Sequence, residues 1–243
     1  MINLVKRLEL GGQVYPVAAD EVRLALNAVG RGQFHVRAEE PIEAGVLARY
    51  TLALDGRAYP VLLGAVTEVS QRGDRLWRIG VRELAAALER PVALALRHVT
   101  PAQVLAALEE ATGLRFLLPA AGSYLAERQP YFYTQGDGRA ALVQIGEVWQ
   151  VPRAVWTQLP DGRIYWGDWT ASPFNAEPLS IPAGLVVERD ELGGALELPA
   201  VPALRPGMVV QLAGEGLRFL VQAVTFREDR TRLAWEPIPG ATT

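Results

Sequence analysis

Residues 100–118 read TPAQVLAALEEATGLRFLL, and this stretch separates two kinds of sequence. Thr100 can cap a first helical turn, Pro101 suits the first helical position, and Gln103 completes a capping box. Val104, Leu105 and Leu108 form an apolar stripe, with Glu109 and Glu110 on the other side. Gly113 supplies a left-handed stop, and Leu114 can fold back over the last turn. A short strand over residues 114–118 is expected next. The middle of the chain is therefore mixed α and β, while the sequence on either side reads as nearly all β.

The flanks show why. Residues 2–10 lead into Gly11-Gly12 and then 14–17. Val22, Leu24 and Leu26 alternate with Arg23 and Asn27, the pattern of a half-buried strand. Residues 33–38 are another strand, and Val46, Ala48, Tyr50, Leu52 and Leu54 share one face of a longer one. Asp55-Gly56 is a hairpin turn. Residues 59–69 return, Arg72-Gly73-Asp74 turns, and 76–81 completes a meander of the kind found in small barrels and sandwiches. At the other end, short strands are expected over 185–188, 195–198, 208–212, 217–226 and 232–235.

Between them, residues 83–89 read as a short helix stopped by Pro91. Residues 92–96 form a strand, and residues 119–137 show no clear period. Residues 139–150 carry Leu142, Ile145 and Trp149 at helical spacing. Two strands then flank Pro160-Asp161-Gly162-Arg163. Residues 172–183, rich in Pro, Ser and Asn, read as a linker. The expected fold class is α+β, mainly β: two similar small β-barrel domains, 1–81 and 184–243, flank a mixed α/β domain, 82–171.

The similarity between the ends rests on a few matches. Gly45, a turn at Asp55-Gly56, Ala65-Val66-Thr67 and Trp77 line up with Gly207, a turn at Gly214-Glu215-Gly216, Ala223-Val224-Thr225 and Trp235. Chance resemblance between alternating strands gives the same matches, so duplication and coincidence both fit.

Composition narrows the function classes. The chain has 243 residues, 50% hydrophobic, a formal net charge of −3 and no cysteine. That leaves no thiolate metal site, thiol nucleophile or disulfide framework, and the net charge gives no footprint for nucleic acid. No apolar run is long enough for a membrane span, and the first residues are not a signal peptide. His35 and His98 lack partners at metal-ligand spacing. Ser70, Ser123, Ser172 and Ser180 lie outside any nucleophile-elbow motif. Gly136-Asp137-Gly138 reads as a helix entry, not a phosphate loop. Glu39-Glu40 and Glu109-Glu110 are sequence neighbours that point apart. No catalytic, cofactor or metal site is expected, and the chain reads as a non-enzyme. Trp149, Trp156, Trp166 and Trp169 are the candidate aromatics, either at a subunit interface or facing a ligand such as a glycan.

Four segments resemble one family. LRHVTPAQVLAALEEATGLRF and RAALVQIGEVWQVPRAVWTQLPDGRIYWGDW are similar to helix, strand and hairpin segments of phage tail hub proteins. ARYTLALDGRAYPVLLGAVTEVSQRGDRLWRIGV and LRPGMVVQLAGEGLRFLVQAVTFREDRTRLAW resemble that family's two barrels. The family includes baseplate hubs of tailed phages and the hub portion of type VI secretion spikes.

The resemblance implies a homotrimer in which three chains present six similar barrels, adapting a six-fold tail tube to a three-fold tip. The implied partners are the chain itself, the tail tube or distal tail protein, the tape measure protein and a central fibre or spike. No specific nucleic-acid binding and no membrane span are implied. The protein is expected in the virion tail tip after synthesis in the host cytoplasm. Since the sequence stops just after the second barrel, no fused needle or lysozyme domain is expected. A net negative chain implies an inner wall that does not grip DNA. A carbohydrate-binding or glycan-acting role for the tryptophans, and a secretion-spike hub, are the alternatives.

Overall fold

The computed structural model describes residues 3–190 and 192–238, so the expected start of the first strand at Ile2 lies outside the described residues. The chain divides into two compact units. One gathers the residues up to Leu26, Gly30–Glu83 and those from Glu177 onward; the other comprises Asn27–Val29 and Leu84–Ala176.

The first unit begins with β1 (Leu4–Leu10), β2 (Gln13–Tyr15), β3 (Val17–Ala25), β4 (Arg31–Arg37), β5 (Leu47–Leu54), β6 (Arg57–Gly73) and β7 (Leu76–Glu83). These strands alternate as expected for a sheet with one covered face. In β3, Val22 and Leu24 are buried and Arg23 is exposed; in β4, Phe34 and Val36 are buried and Arg31 is exposed. Asp55 and Gly56, with φ of 49° and 84°, make the β5–β6 turn in the left-handed region that an Asp-Gly pair tolerates.

The second unit contains β8 (Pro91–Val99), α1 (Pro101–Thr112), β9 (Phe116–Leu117), β10 (Gln129–Asp137), α2 (Gly138–Val148), β11 (Ala154–Gln158) and β12 (Ile164–Asp168). The expected helix near residue 83 is a 3-10 turn over Leu84–Glu89. Both ends of α1 form as read from sequence. The Gln103 N–H donates to Thr100 Oγ1 at 3.4 Å, and the Thr100 N–H donates to Gln103 Oε1 at 3.0 Å. Gly113 adopts φ 74° and its N–H donates to the Glu109 carbonyl. The α2 helix opens on Asp137, whose carboxylate accepts from the Ala140 N–H at 2.8 Å. That bond is the main reason the Asp137 carboxyl sits below the usual range.

The unreadable stretch before α2 hides a strand. β10 pairs antiparallel with β8, placing Phe132 opposite Leu96. Phe132 is buried while Tyr131 and Tyr133 are exposed, so its period is real but aromatic on both faces. Asn27 joins this unit through its own φ of 56°. Its N–H donates to the Trp156 carbonyl at 2.9 Å, and its Oδ1 accepts from the Trp156 N–H at 2.8 Å.

From Glu177 the chain returns to the first unit with β13 (Leu179–Pro182), β14 (Glu188–Asp190), β15 (Ala195–Pro199), β16 (Val209–Ala213), β17 (Arg218–Arg227) and β18 (Arg230–Pro237). The stretch read as a linker thus contains a strand: β13 pairs parallel with β16, and Ile181 is buried. Proline and serine composition concealed it, because Pro182 sits at the strand end where its missing N–H is tolerated. Residues 1–81 and 184–243, read as two domains, contribute to one 13-stranded sheet, ordered β14-β15-β18-β17-β3-β4-β7-β6-β5-β1-β2 with β16 joining β13 to β17. One apolar cluster takes Phe34, Val36 and Ile79 from the first segment and Leu196, Phe226 and Leu233 from the last.

The two segments share a connectivity. β4 pairs β3 and β7, β7 pairs β6, and β6 pairs β5. In the same chain order, β15 pairs β14 and β18, β18 pairs β17, and β17 pairs β16. Details agree as well. The Gly45 N–H donates to the Val66 carbonyl and the Gly207 N–H to the Val221 carbonyl, both at 2.8 Å. A bulge follows at once in each, between Val66 and Glu68 and between Val221 and Ala223.

Gly45 and Gly207 are therefore equivalent, as read from sequence. So are the two turns, Asp55-Gly56 between β5 and β6 and Gly214-Glu215-Gly216 between β16 and β17; the Ala-Val-Thr and tryptophan matches are not. The hydrogen bonds align Val66 with Val221, not Val224. Trp77 pairs with Gln71 near its hairpin tip, whereas Trp235 pairs with Val221 far from its own. Ala65-Val66-Thr67 lies at its bulge and Ala223-Val224-Thr225 just beyond its own, so the same spacing to a tryptophan lands on different rungs.

Candidate assembly surface

The four candidate tryptophans lie inside the second unit. Trp149, Trp156 and Trp169 are each 3% exposed, and Trp166 is 1% exposed. Trp166 stands opposite Trp156 across β11 and β12. Trp166 Nε1 donates to the Leu142 carbonyl at 3.1 Å, and Trp149 Nε1 to the Glu127 carbonyl at 2.9 Å. The Arg153 guanidinium lies 4.2 Å from the Trp169 ring centroid. Each ring is thus a buried apolar body, three of them with a partnered polar or cationic contact. The four rings expected at an interface or facing a ligand are covered by this chain's own residues. Trp156 and Trp166 line a hollow of about 520 Å³ beside Leu142 and Gly146 of α2.

The neglected surface is backbone. β14 ends the strand order of the large sheet, and among the described residues no strand covers its outer edge. β6 is covered by β5 only over residues 57–65. Its later half, residues 68–73, pairs with β7 on one side and, among the described residues, with no strand on the other. The equivalent half of β17 is not open: residues 223–227 pair with β3. Exposed apolar side chains gather beside β14, with Leu185 45% and Val187 53% exposed and Leu192 fully exposed. Open edges with adjoining apolar groups are templates for another chain.

Two buried ionic clusters hold the sheet beneath. Asp20 in β3, 4% exposed, pairs with Lys6 of β1 and accepts from the Tyr50 hydroxyl at 2.8 Å. Burial, and then the Asp20 charge, push the Tyr50 hydroxyl far above its ordinary range, so it remains a donor. Glu83 at the end of β7 accepts from the Gly30 N–H at 2.6 Å. Burial pushes the Glu83 carboxyl up to about 7, against the opposing pull of the Gly30 amide and the Arg205 charge. Burial likewise pulls the Arg205 guanidinium down to about 10. Arg205 is held by the carbonyls of Pro60, Pro202 and Leu204.

The Glu83 shift has a definite sign. Its folded pKa exceeds the ordinary 4.5, so the folded chain keeps a proton that the unfolded chain releases. Its contribution is most favourable below about 4.5 and declines as pH rises to about 7. The expected decline is up to ~3 kcal/mol. Urea unfolding at pH 5 and pH 7.5 measures it, and Glu83→Gln should flatten the dependence. An identical dependence in both proteins would assign the effect to other groups.

Among the described residues, no cluster of His, Asp or Glu has metal-site geometry, and no helix is long and apolar enough to cross a membrane.

Comparison with known proteins agrees with this architecture. No protein-family model matches the chain. An uncharacterized 58.7 kDa protein encoded in the lys 3' region of Haemophilus phage HP1 is 23% identical over 209 residues. The match covers 86% of this chain and spans 38% of the length of that relative. Among solved structures, the 43 kDa tail protein of prophage MuSo2 from Shewanella oneidensis superposes with a TM-score of 0.74 at 12% identity, covering 97% of this chain and 98% of that one. The E. coli c3393 protein, a type VI secretion component described as structurally similar to T4 tail proteins gp27 and gp5, gives 0.68 at 15% identity, covering 96% and 77%. This chain shares its fold with these phage tail and type VI secretion proteins.

Proposed function

We propose that the chain is a structural hub of a phage-type tail, working by geometry as a homotrimer. Each protomer supplies two similar small barrels, and three protomers make a ring of six that joins a hexameric tube to a three-fold tip. The observation that supports this most is the repeated strand connectivity together with its unequal covering. Inside one chain, β17 of the second repeat is covered by β3 of the first. The equivalent strands of the other pairing, β6 and β14, are the two left open. A neighbour's β14 beside residues 68–73 of β6 repeats the internal junction from chain to chain. Such a head-to-tail contact closes into a ring when the rotation fits, and it covers these two edges.

The partners in this reading are further copies of the chain, a tail tube or distal tail protein, the tape measure protein and a central spike. Its place is the virion tail tip, after synthesis in the host cytoplasm. The secretion-spike hub is the second reading, favoured by the likeness to the E. coli secretion component. A glycan-stacking role has lost its main support, because Trp166 and Trp169 are both buried.

Mass measurement in solution tests the trimer. The expected species is three times the 26.5 kDa chain. Val187→Asp with Leu185→Asp should return it to the monomer without changing the circular dichroism, since both side chains are exposed. A parent protein that stays monomeric at high concentration would sink the ring.

A further inference from the structure

The solvent face of the large sheet carries a row of like charges that the fold does not require. Thr225 of β17 is in register with Arg232 of β18 on one side and Arg23 of β3 on the other. Arg23 stands opposite Arg31 of β4, and Arg31 opposite Arg82 of β7. Five neighbouring strands therefore place Arg232, Thr225, Arg23, Arg31 and Arg82 on one line. At the usual strand spacing the line is about 19 Å long.

Arg23, Arg31 and Arg232 are exposed and Arg82 is half-buried. Among the described residues, Arg23, Arg31 and Arg232 join no ion pair. Arg37 and Arg227 extend the same face, whose carboxylates are Glu21 and Glu236 within these strands and, in the flanking ones, Glu197 of β15 opposite Arg232 and Glu68 of β6 opposite Gly80. Like charges directly opposite each other oppose strand pairing. The net charge of −3 gives no sign of this arrangement.

We infer that this arginine row binds the phosphate backbone of double-stranded DNA without regard to sequence. Guanidinium groups fit phosphate oxygens in pairs. The composition of the face also separates DNA from an acidic protein partner. Protein interfaces centre on aromatic and apolar anchors, and none of the large exposed apolar side chains belongs to these five strands. Interfaces with DNA are polar and strongly basic. Side chains suited to reading base edges are also scarce here, with Gln33 of β4 already accepting from Arg78 at 3.0 Å. The inference concerns the single chain and stands whether or not the trimer forms.

Fluorescence anisotropy of a labelled 30-base-pair duplex of mixed sequence, titrated with the full chain, tests it. Three neutralised phosphates, one each at Arg23, Arg31 and Arg232, imply a loss in affinity on the order of 40-fold between 50 and 200 mM salt. The triple substitution Arg23→Gln, Arg31→Gln and Arg232→Gln should weaken binding and lower the logarithmic salt slope by about 2.7. Its unfolding midpoint should hold or rise, since repulsion is relieved. If the triple variant does not fold, the single Arg23→Gln and Arg31→Gln proteins should each lower the slope by about 0.9. No duplex binding at 50 mM salt, or unchanged binding by folded variants, overturns the inference. So does equal or tighter binding of polyglutamate at the same salt, which would assign the face to an acidic polypeptide.

Discussion

Gly64→Ala is expected to destabilise the first unit by about 3 kcal/mol or more, lowering the unfolding midpoint by about 10 °C. Gly64 lies in β6 with Ala48 of β5 on one side and Glu83 of β7 on the other. A Cβ at this position would stand 1.9 Å from the Arg82 carbonyl oxygen and 2.6 Å from its carbon. Those are backbone atoms, which no rotamer change can move aside. The β6 and β7 strands would have to part next to the Val66–Glu68 bulge, where the ladder is already interrupted. Gly73→Ala is the matching control, because nothing lies within 4 Å of a Cβ there. Thermal unfolding of both variants decides the matter. Equal midpoints for the two would show that the β6–β7 pairing is looser than the geometry indicates.

Asp20→Ala is the second large effect, about 3 kcal/mol of lost stability. The Asp20 carboxylate meets Lys6 and the Tyr50 hydroxyl, and its side chain is 1% exposed against 22% for that of Lys6. Removing it leaves a buried hydroxyl and a largely buried ammonium without their shared acceptor. Replacing both members of the Tyr50 hydrogen bond should cost less than the separate losses added together. The cycle of Asp20→Ala, Tyr50→Phe and the double variant measures this coupling by urea unfolding. The Tyr50 ring itself would stay packed, 4.8 Å from Phe34 between ring centroids. Strict additivity would mean that Lys6, not Tyr50, carries the interaction.

Both variants act on a sheet whose strands were largely legible beforehand and whose completeness was not. β3 to β7 follow a period of two that one buried face imposes. The repeat was legible as a hint, since Gly45 and Gly207 do open equivalent strands. Its residue-by-residue alignment was not, because the β5–β6 hairpin is longer than the β16–β17 one and only hydrogen-bond register reveals the matching rungs. The burial of the tryptophans was not legible for a related reason. A large aromatic suits a core and an interface equally, and composition carries no direction. The edges of β6 and β14 are defined by absent backbone partners, which no side-chain pattern encodes.

By itself, the sequence determined the local features: the capped α1 helix, the Asp137 start of α2, the Asp55-Gly56 turn and the mainly β flanks. Each depends on groups a few residues apart, so neighbouring side chains suffice to specify it. Tertiary structure alone decided that β17 lies beside β3, that residues 179–182 complete a sheet, and that arginines from four strands fall into one row. These depend on pairing between segments up to two hundred residues apart. Such pairing is selected by the packing of the whole core, and only the folded chain expresses it.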